Sequence, residues 1–139
     1  MQPVLRVLST RSEKIVNLTP HIVRVFVDGQ HSDVLYPASG TEARCSSVQQ
    51  RPLYQLKNNV PVWTPQDFTG VTGIDEIGAD VHGIIVSMPV AQYLREARFP
   101  KISRLYVYCP DTSPDAVRRD DDGRVVGTRR LVVYYQPTD

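Results

Sequence analysis

Gly83-Ile84-Ile85-Val86-Ser87-Met88, running directly into Pro89-Val90-Ala91-Gln92-Tyr93-Leu94-Arg95-Glu96-Ala97, decides how this chain folds. The first half is a continuous apolar run of strand length, the pattern of a buried strand. In the second half Val90, Tyr93, Leu94 and Ala97 recur at i, i+3, i+4 and i+7, the spacing of one helix face. Ser87 can cap that helix, and Pro89 falls in its first turn, where an amide hydrogen has no intrahelical partner to lose. Arg95 and Arg98 suit the negative pole at the far end, and Pro100 stops the helix. A strand leading into the chain's one main helix, near 88–97, is therefore the nucleus of the fold.

Toward the C-terminus the segments 104–108, 117–119, 124–126 and 129–135 read as strands. Asp120-Asp121-Asp122-Gly123 joins the middle two as a hairpin, with Gly123 supplying the positive φ of a tight connection. Leu131-Val132-Val133-Tyr134-Tyr135 is apolar on both faces, which predicts either an interior strand or an edge covered by another subunit. Toward the N-terminus, Ile15-Val16 is a short strand that stops at Asn17-Leu18-Thr19-Pro20. Ile22 to Val27 is rich in β-branched residues and ends at Asp28-Gly29, so a hairpin or meander is expected there. Val34-Leu35-Tyr36 and the weakly alternating stretch 42–48 add two more strands. Residues 49–82, with Pro52, Pro61 and Pro65, predict short strands near 53–56 and 60–63 set among long loops. The expected class is α+β, with a β-rich mixed or antiparallel sheet, or a barrel-like closure of it. Residues 1–13 read as a flexible leader and 14–139 as a single domain.

The 139 residues and 41% hydrophobic content suffice for one core. Sixteen Lys and Arg against 15 Asp and Glu leave a net charge of +1, too little to gather nucleic acid or a membrane surface. No apolar run approaches the roughly 20 residues of a spanning helix, and the N-terminus lacks the pattern of a secretory signal, so a soluble protein acting inside a cell is expected. Cys45 and Cys109 are the only cysteines. Neither has a metal-ligand spacing to a histidine, so idle thiols, no metal and no cofactor are expected.

Three groups of residues are candidates for chemistry. Asn17-Leu18-Thr19-Pro20-His21 packs hydrogen-bonding side chains between two strands. Turn formation explains each of them, while a functional alternative makes His21 a general base or ligand contact. His21, Ser87 and Asp111 could be written as a triad, but Ser87 lacks the Gly-x-Ser-x-Gly elbow. Asp120 to Asp122 lie among Arg118, Arg119, Arg124, Arg129 and Arg130, for which ion pairing across the hairpin is expected. The sharper expectation is that Arg44 converges with Arg118 or Arg124 on a phosphate or carboxylate, with the tyrosines at 106, 108, 134 and 135 as a stacking wall. For a nucleotide, Arg44, Arg118 and His21 would hold the anion and Tyr106 or Tyr134 would stack on the base.

The order of several motifs resembles a family of small proteins from bacteriophages, prophages and other viruses or bacteria. It is carried by Ile15-Val16-Asn17-Leu18-Thr19-Pro20-His21, Pro37-Ala38-Ser39-Gly40 with Ala43-Arg44, and Ile85-Val86-Ser87 with Val90-Ala91. It continues through Pro110-Asp111 to Val117-Arg118-Arg119-Asp120 and Gly123-Arg124-Val125-Val126-Gly127. The leader, the middle segment and the tail beyond Leu131 depart from the pattern. The resemblance implies an accessory product of a virus or mobile element, in a host cytoplasm or packaged in a virion. The expected function is a non-enzymatic binding module for a protein partner or small anionic ligand, acting against host defence and able to form a homo-oligomer. A structural virion component, and a small hydrolase using His21 with Asp111 on a nucleotide or ester, are the alternatives.

Overall fold

The computed structural model describes residues 14–65, 67–75, 77–97 and 104–137. The expected leader, Arg98 and Pro100 lie outside the described residues.

The apolar run is the short strand β8 (Gly83–Ile85), which lies between two parallel neighbours, β1 (Ile15–Asn17) and β9 (Tyr106–Pro110). The first strand, β1, forms one end of this sheet. At the other end β12 (Leu131–Tyr135) joins β9 antiparallel. Between β8 and β9 the chain makes the helix α1 (Met88–Ala97), whose first intrahelical bond runs from the Ala91 amide to the Ser87 carbonyl. Parallel neighbours need such a crossover, because a tight turn cannot join two strands that run the same way.

Residues alternate between the faces of a strand, so Ile84 and Ile85 point to opposite sides of the sheet. Both are completely buried. On one side Ile84, Val86 and Val107 pack with Val90, Ala91 and Leu94 of the helix, joined by Leu18, Ala43, Ile74, Val81, Leu105 and Cys109. The antiparallel pair β4 (Arg44–Val48) and β7 (Asp67–Thr72) adjoins the helix on this side. On the other side Ile85 meets Val23 and Val25 of β2 (Val23–Val25), flanked by Ile15, Val34, Tyr36, Tyr108 and Leu131.

That second layer is a four-stranded sheet in the order β10 (Val117–Arg119), β11 (Val125–Thr128), β2 and β3 (Val34–Tyr36). The expected hairpin around Asp28-Gly29 is β2 with β3, whereas β1 pairs with β8 rather than with β2. The expected hairpin of 117–119 with the strand after Gly123 is β10 with β11. In the middle segment β5 (Pro52–Gln55) and β6 (Pro61–Trp63) form a separate two-stranded ribbon, and β7 is a strand that the glycines at 70 and 73 concealed. The molecule is thus β-rich, with twelve strands and one helix among the described residues.

The structure corrects one expectation and decides between the alternatives of another. The sheets are open, each with two distinct end strands, so there is no closed barrel. Of the two alternatives for 131–135 the structure has the edge: β12 is an end strand with Val132 and Val133 partly exposed, and its apolar character serves one face through Tyr134 and Tyr135 and the other through Leu131.

Leu94 has no exposed surface and lies between the helix and the central sheet. Leu94→Ala is expected to lower unfolding free energy by about 2–5 kcal/mol, the range for a leucine truncated in a packed core, as read from urea denaturation midpoints.

Candidate functional site

Asn17, the last residue of β1, is 1% exposed and polar, so its amide must find partners inside the protein. Its Nδ2 donates to the carbonyl oxygens of His21 and Tyr36, at 2.8 Å each. Its Oδ1 accepts from the Thr19 amide at 2.9 Å and the Thr19 hydroxyl at 2.6 Å. The Asn-Leu-Thr-Pro-His segment is therefore an Asx-type turn closed on itself and pinned to the end of β3. The Asn17 carbonyl also accepts from the Ser39 amide, and the Leu18 carbonyl from the Ala43 amide. These bonds lay the Pro37-Ala38-Ser39-Gly40 segment along the open side of β1, where Ala38 bridges to Asn17.

Beside that junction is a cavity of about 420 Å³ lined by Lys14, Val16, Leu18, Ser39, Thr41, Gly73, Asp75, Ile77, Gly78 and Val81. Its size falls within the range of small-molecule sites. Val16, Leu18, Ile77 and Val81 supply apolar surface, Ser39 and Thr41 supply hydroxyls, and Lys14 and Asp75 bring one charge of each sign. The Lys14 ammonium lies 3.0 Å from Asp80, whose carboxyl is held below its usual range, chiefly by that hydrogen bond. Gly73 has φ +89°, and a Cβ there would strike the Glu42 carbonyl oxygen, so only glycine lets the chain pass this wall.

A second, smaller cavity of about 160 Å³ is lined by residues that include Ile22, Arg24, Asp111, Thr112, Val125 and Val126. Here Asp111 is fully engaged. Its Oδ1 accepts from the Ser113 amide and hydroxyl, and its Oδ2 accepts from Arg130 Nε at 2.7 Å. Arg130 reaches Asp115 as well, also at 2.7 Å, and these bonds, Arg130 first, hold the Asp111 carboxyl down at about 2.

The residues singled out from the sequence are dispersed. His21 is exposed at the turn, where its carbonyl rather than its ring makes the bonds, and no hydrogen bond links it to Asp111. Ser87 is exposed at the start of the helix. Arg44 lies on β4 and pairs with Glu42 at 2.7 Å. Arg118 belongs to a different sheet, with its guanidinium 4.1 Å above the ring of Phe26. Neither arginine lines either cavity, so the expected Arg44 and Arg118 anion clamp is not assembled. Tyr106 is half-buried in a stack with His82, 4.3 Å between ring centroids, and Tyr108 lies 3.3 Å from His82 Nε2 through its hydroxyl. Tyr134 sits apart from them, in an open groove beside α1 with Arg95, Glu96, Val132 and Val133.

The acidic turn also differs from expectation. Asp120 caps the amides of Asp122 and Arg124, while Arg119 donates to the Gly123 carbonyl, so backbone groups take the bonds expected to be ion pairs. Of the arginines around that turn, Arg129 pairs with Asp28 and Arg130 with Asp111 and Asp115, all in other segments. Both cysteines are free, and burial raises each thiol, Cys109 to about 11 with help from Asp111. Such thiols are poor nucleophiles at neutral pH. Among the described residues no group of three metal-ligating side chains converges, and no helix is long and apolar enough to cross a membrane.

No protein-family model, curated protein or solved structure matches this chain. The geometry of the cavity beside β1 is accordingly the main guide to function. None of the residues singled out for ligand binding, His21, Arg44, Tyr106, Arg118 and Tyr134, is in its lining, and the lining residues Lys14, Thr41 and Asp75 carry no local signature in the sequence.

Asn17→Ala leaves the carbonyls of His21 and Tyr36 and the Thr19 amide short of partners, and is expected to cost about 2–3 kcal/mol in urea denaturation. Asp111 titrates below the unfolded carboxylate value of about 4, so its ion pair stabilises the fold above that pH and the contribution disappears as pH falls through about 2. Arg130→Gln should flatten this acid limb of the stability profile and leave its shape above pH 5 or so unchanged.

Proposed function

We propose that this protein is a non-enzymatic binding module whose ligand seat is the cavity beside β1. The observation that carries the reading is the meeting there of the Asn17 turn and the Pro37 to Gly40 segment, on the rim of a pre-formed cavity of about 420 Å³. The lining divides evenly between apolar side chains, Val16, Leu18, Ile77 and Val81, and polar ones, Lys14, Ser39, Thr41 and Asp75, which can fix the orientation of a small molecule. Lys14 is the cation in that lining and it is paired with Asp80, which favours a compact ligand with an apolar body and at most one anionic group over a polyphosphate. The same motif segments carry the resemblance to phage and prophage proteins, which supports an accessory product of a virus or mobile element that sequesters a host small molecule in the cytoplasm, countering defence.

The hydrolase alternative draws less support from the geometry. Its proposed acid is bound by Arg130 and Ser113, and its proposed base is held at the turn only through the backbone.

The test is native mass spectrometry of the purified protein, followed by denaturation and identification of what is released. A small molecule at one per chain is expected, with affinity lowered roughly tenfold or more in Thr41→Trp, which fills the rim, and in Lys14→Ala. Binding that is indifferent to both substitutions would sink the assignment of the seat. Turnover of a nucleotide or ester that vanishes in His21→Ala, with the fold intact, would replace it with the hydrolase.

A further inference from the structure

The β5 and β6 ribbon has no evident role in the core or in either cavity. Every residue from Gln49 to Pro61 is exposed. Its turn is built from Lys57, Asn58 and Asn59, closed by the Asn59 amide on the Leu56 carbonyl, with Asn59 at φ +62° in the left-handed region that asparagine tolerates. The Leu56 amide then donates to the Val60 carbonyl, and the register continues through Gln55 with Pro61 and Tyr54 with Val62. By alternation Tyr54, Leu56, Val60 and Val62 share one face. After the irregularity at Leu53, Trp63 pairs with Pro52 and lies on the reverse face with Pro61. Leu53 is 56% exposed, Tyr54 59%, Leu56 52% and Trp63 53%.

A two-stranded ribbon is marginal in water without an apolar face to pack, and the strongest packing of these strands is on each other. Large apolar side chains project from both faces, a form suited to insertion between surfaces rather than to lying flat on a bilayer. Area indicates what receives it. The half-exposed side chains of Leu53, Tyr54, Leu56, Val60 and Trp63 offer on the order of 400 Å², so one ribbon docked on an unrelated protein buries about 800 Å² in all, the size of a lattice contact. A twofold arrangement in which each chain receives the other's ribbon doubles this to about 1,600 Å², the size of a stable interface. The same chain also offers uncovered apolar surface to a second copy, including Val132 and Val133 on the end strand β12.

We infer that the β5 and β6 ribbon is a dimerisation arm, exchanged reciprocally with a second copy of this chain. Trp63 is the only tryptophan, so its emission reports the state of the arm directly. Sedimentation velocity over a dilution series should show twice the chain mass at high concentration. On dilution the mass should fall to that of one chain as Trp63 emission moves to the red. Leu56→Lys with Val60→Lys should sediment as a monomer throughout, with far-ultraviolet circular dichroism unchanged. A wild type that is monomeric at every concentration overturns the inference, as does a double variant that keeps the dimer mass. A monomeric wild type whose arm binds an acidic protein, or phosphatidylserine vesicles, overturns it equally. The wild-type dilution decides the matter alone if the variant does not fold.

Discussion

Complete burial of β8 on both faces is the constraint from which the rest of the molecule follows. A strand with Ile84 toward one side and Ile85 toward the other must be covered twice, and each covering layer is supplied by a different part of the chain. The helix that leaves β8 returns over Ile84, and the distant strand β2 covers Ile85. Burying one such side chain contributes about 1.5–3 kcal/mol, so the two layers together outweigh any local preference in the short strands around them. Most of those strands are only three to five residues long. Individually they would not persist in water.

The junction at Asn17 ties this core to the surface where binding is proposed. A buried amide with donors and acceptors all satisfied orients three pieces of backbone at once: its own turn, the end of β3 and the segment that begins at Pro37. The segment held against Asn17 and Leu18 places Ser39 and Thr41 in the wall of the cavity beside β1, together with Val16 and Val81. The polar cluster of Asp111, Ser113, Asp115 and Arg130 serves a comparable role at the far end of β9, where Thr128 donates to the Asp111 carbonyl and fixes the approach to β12. The Asp111 carboxylate, which resembles a catalytic group in the sequence, is consumed in holding its loop, whereas His21 contributes only its backbone carbonyl to the other.

How much could be read from the linear chain varies with the range of the interaction. The strand and helix at 83–97 were legible because a continuous apolar run and a period near 3.6 are local patterns. The 117–126 hairpin was legible because Gly123 marks its turn. β7 was not, since Gly70 and Gly73 read as loop, although Gly73 is required by the wall of Glu42 beside it. The partner of β1 was not legible either, because parallel pairing with β8 joins residues far apart along the chain and leaves no turn to announce it. Likewise nothing near Lys14 or Thr41 signals that they share a cavity.

Local order, then, was determined by the sequence alone: the sites of most strands, the single helix, the turns, and the self-contained chemistry of the Asn17 segment. Only the tertiary structure decided that Arg44 and Arg118 belong to separate sheets, that the strand at 131–135 ends a sheet, and that the ribbon at 52–63 stands uncovered. The physical reason is that propensity and periodicity act over a few residues. Strand order and cavity walls instead depend on which distant surfaces bury each other best, a quantity that exists only once the layers have met.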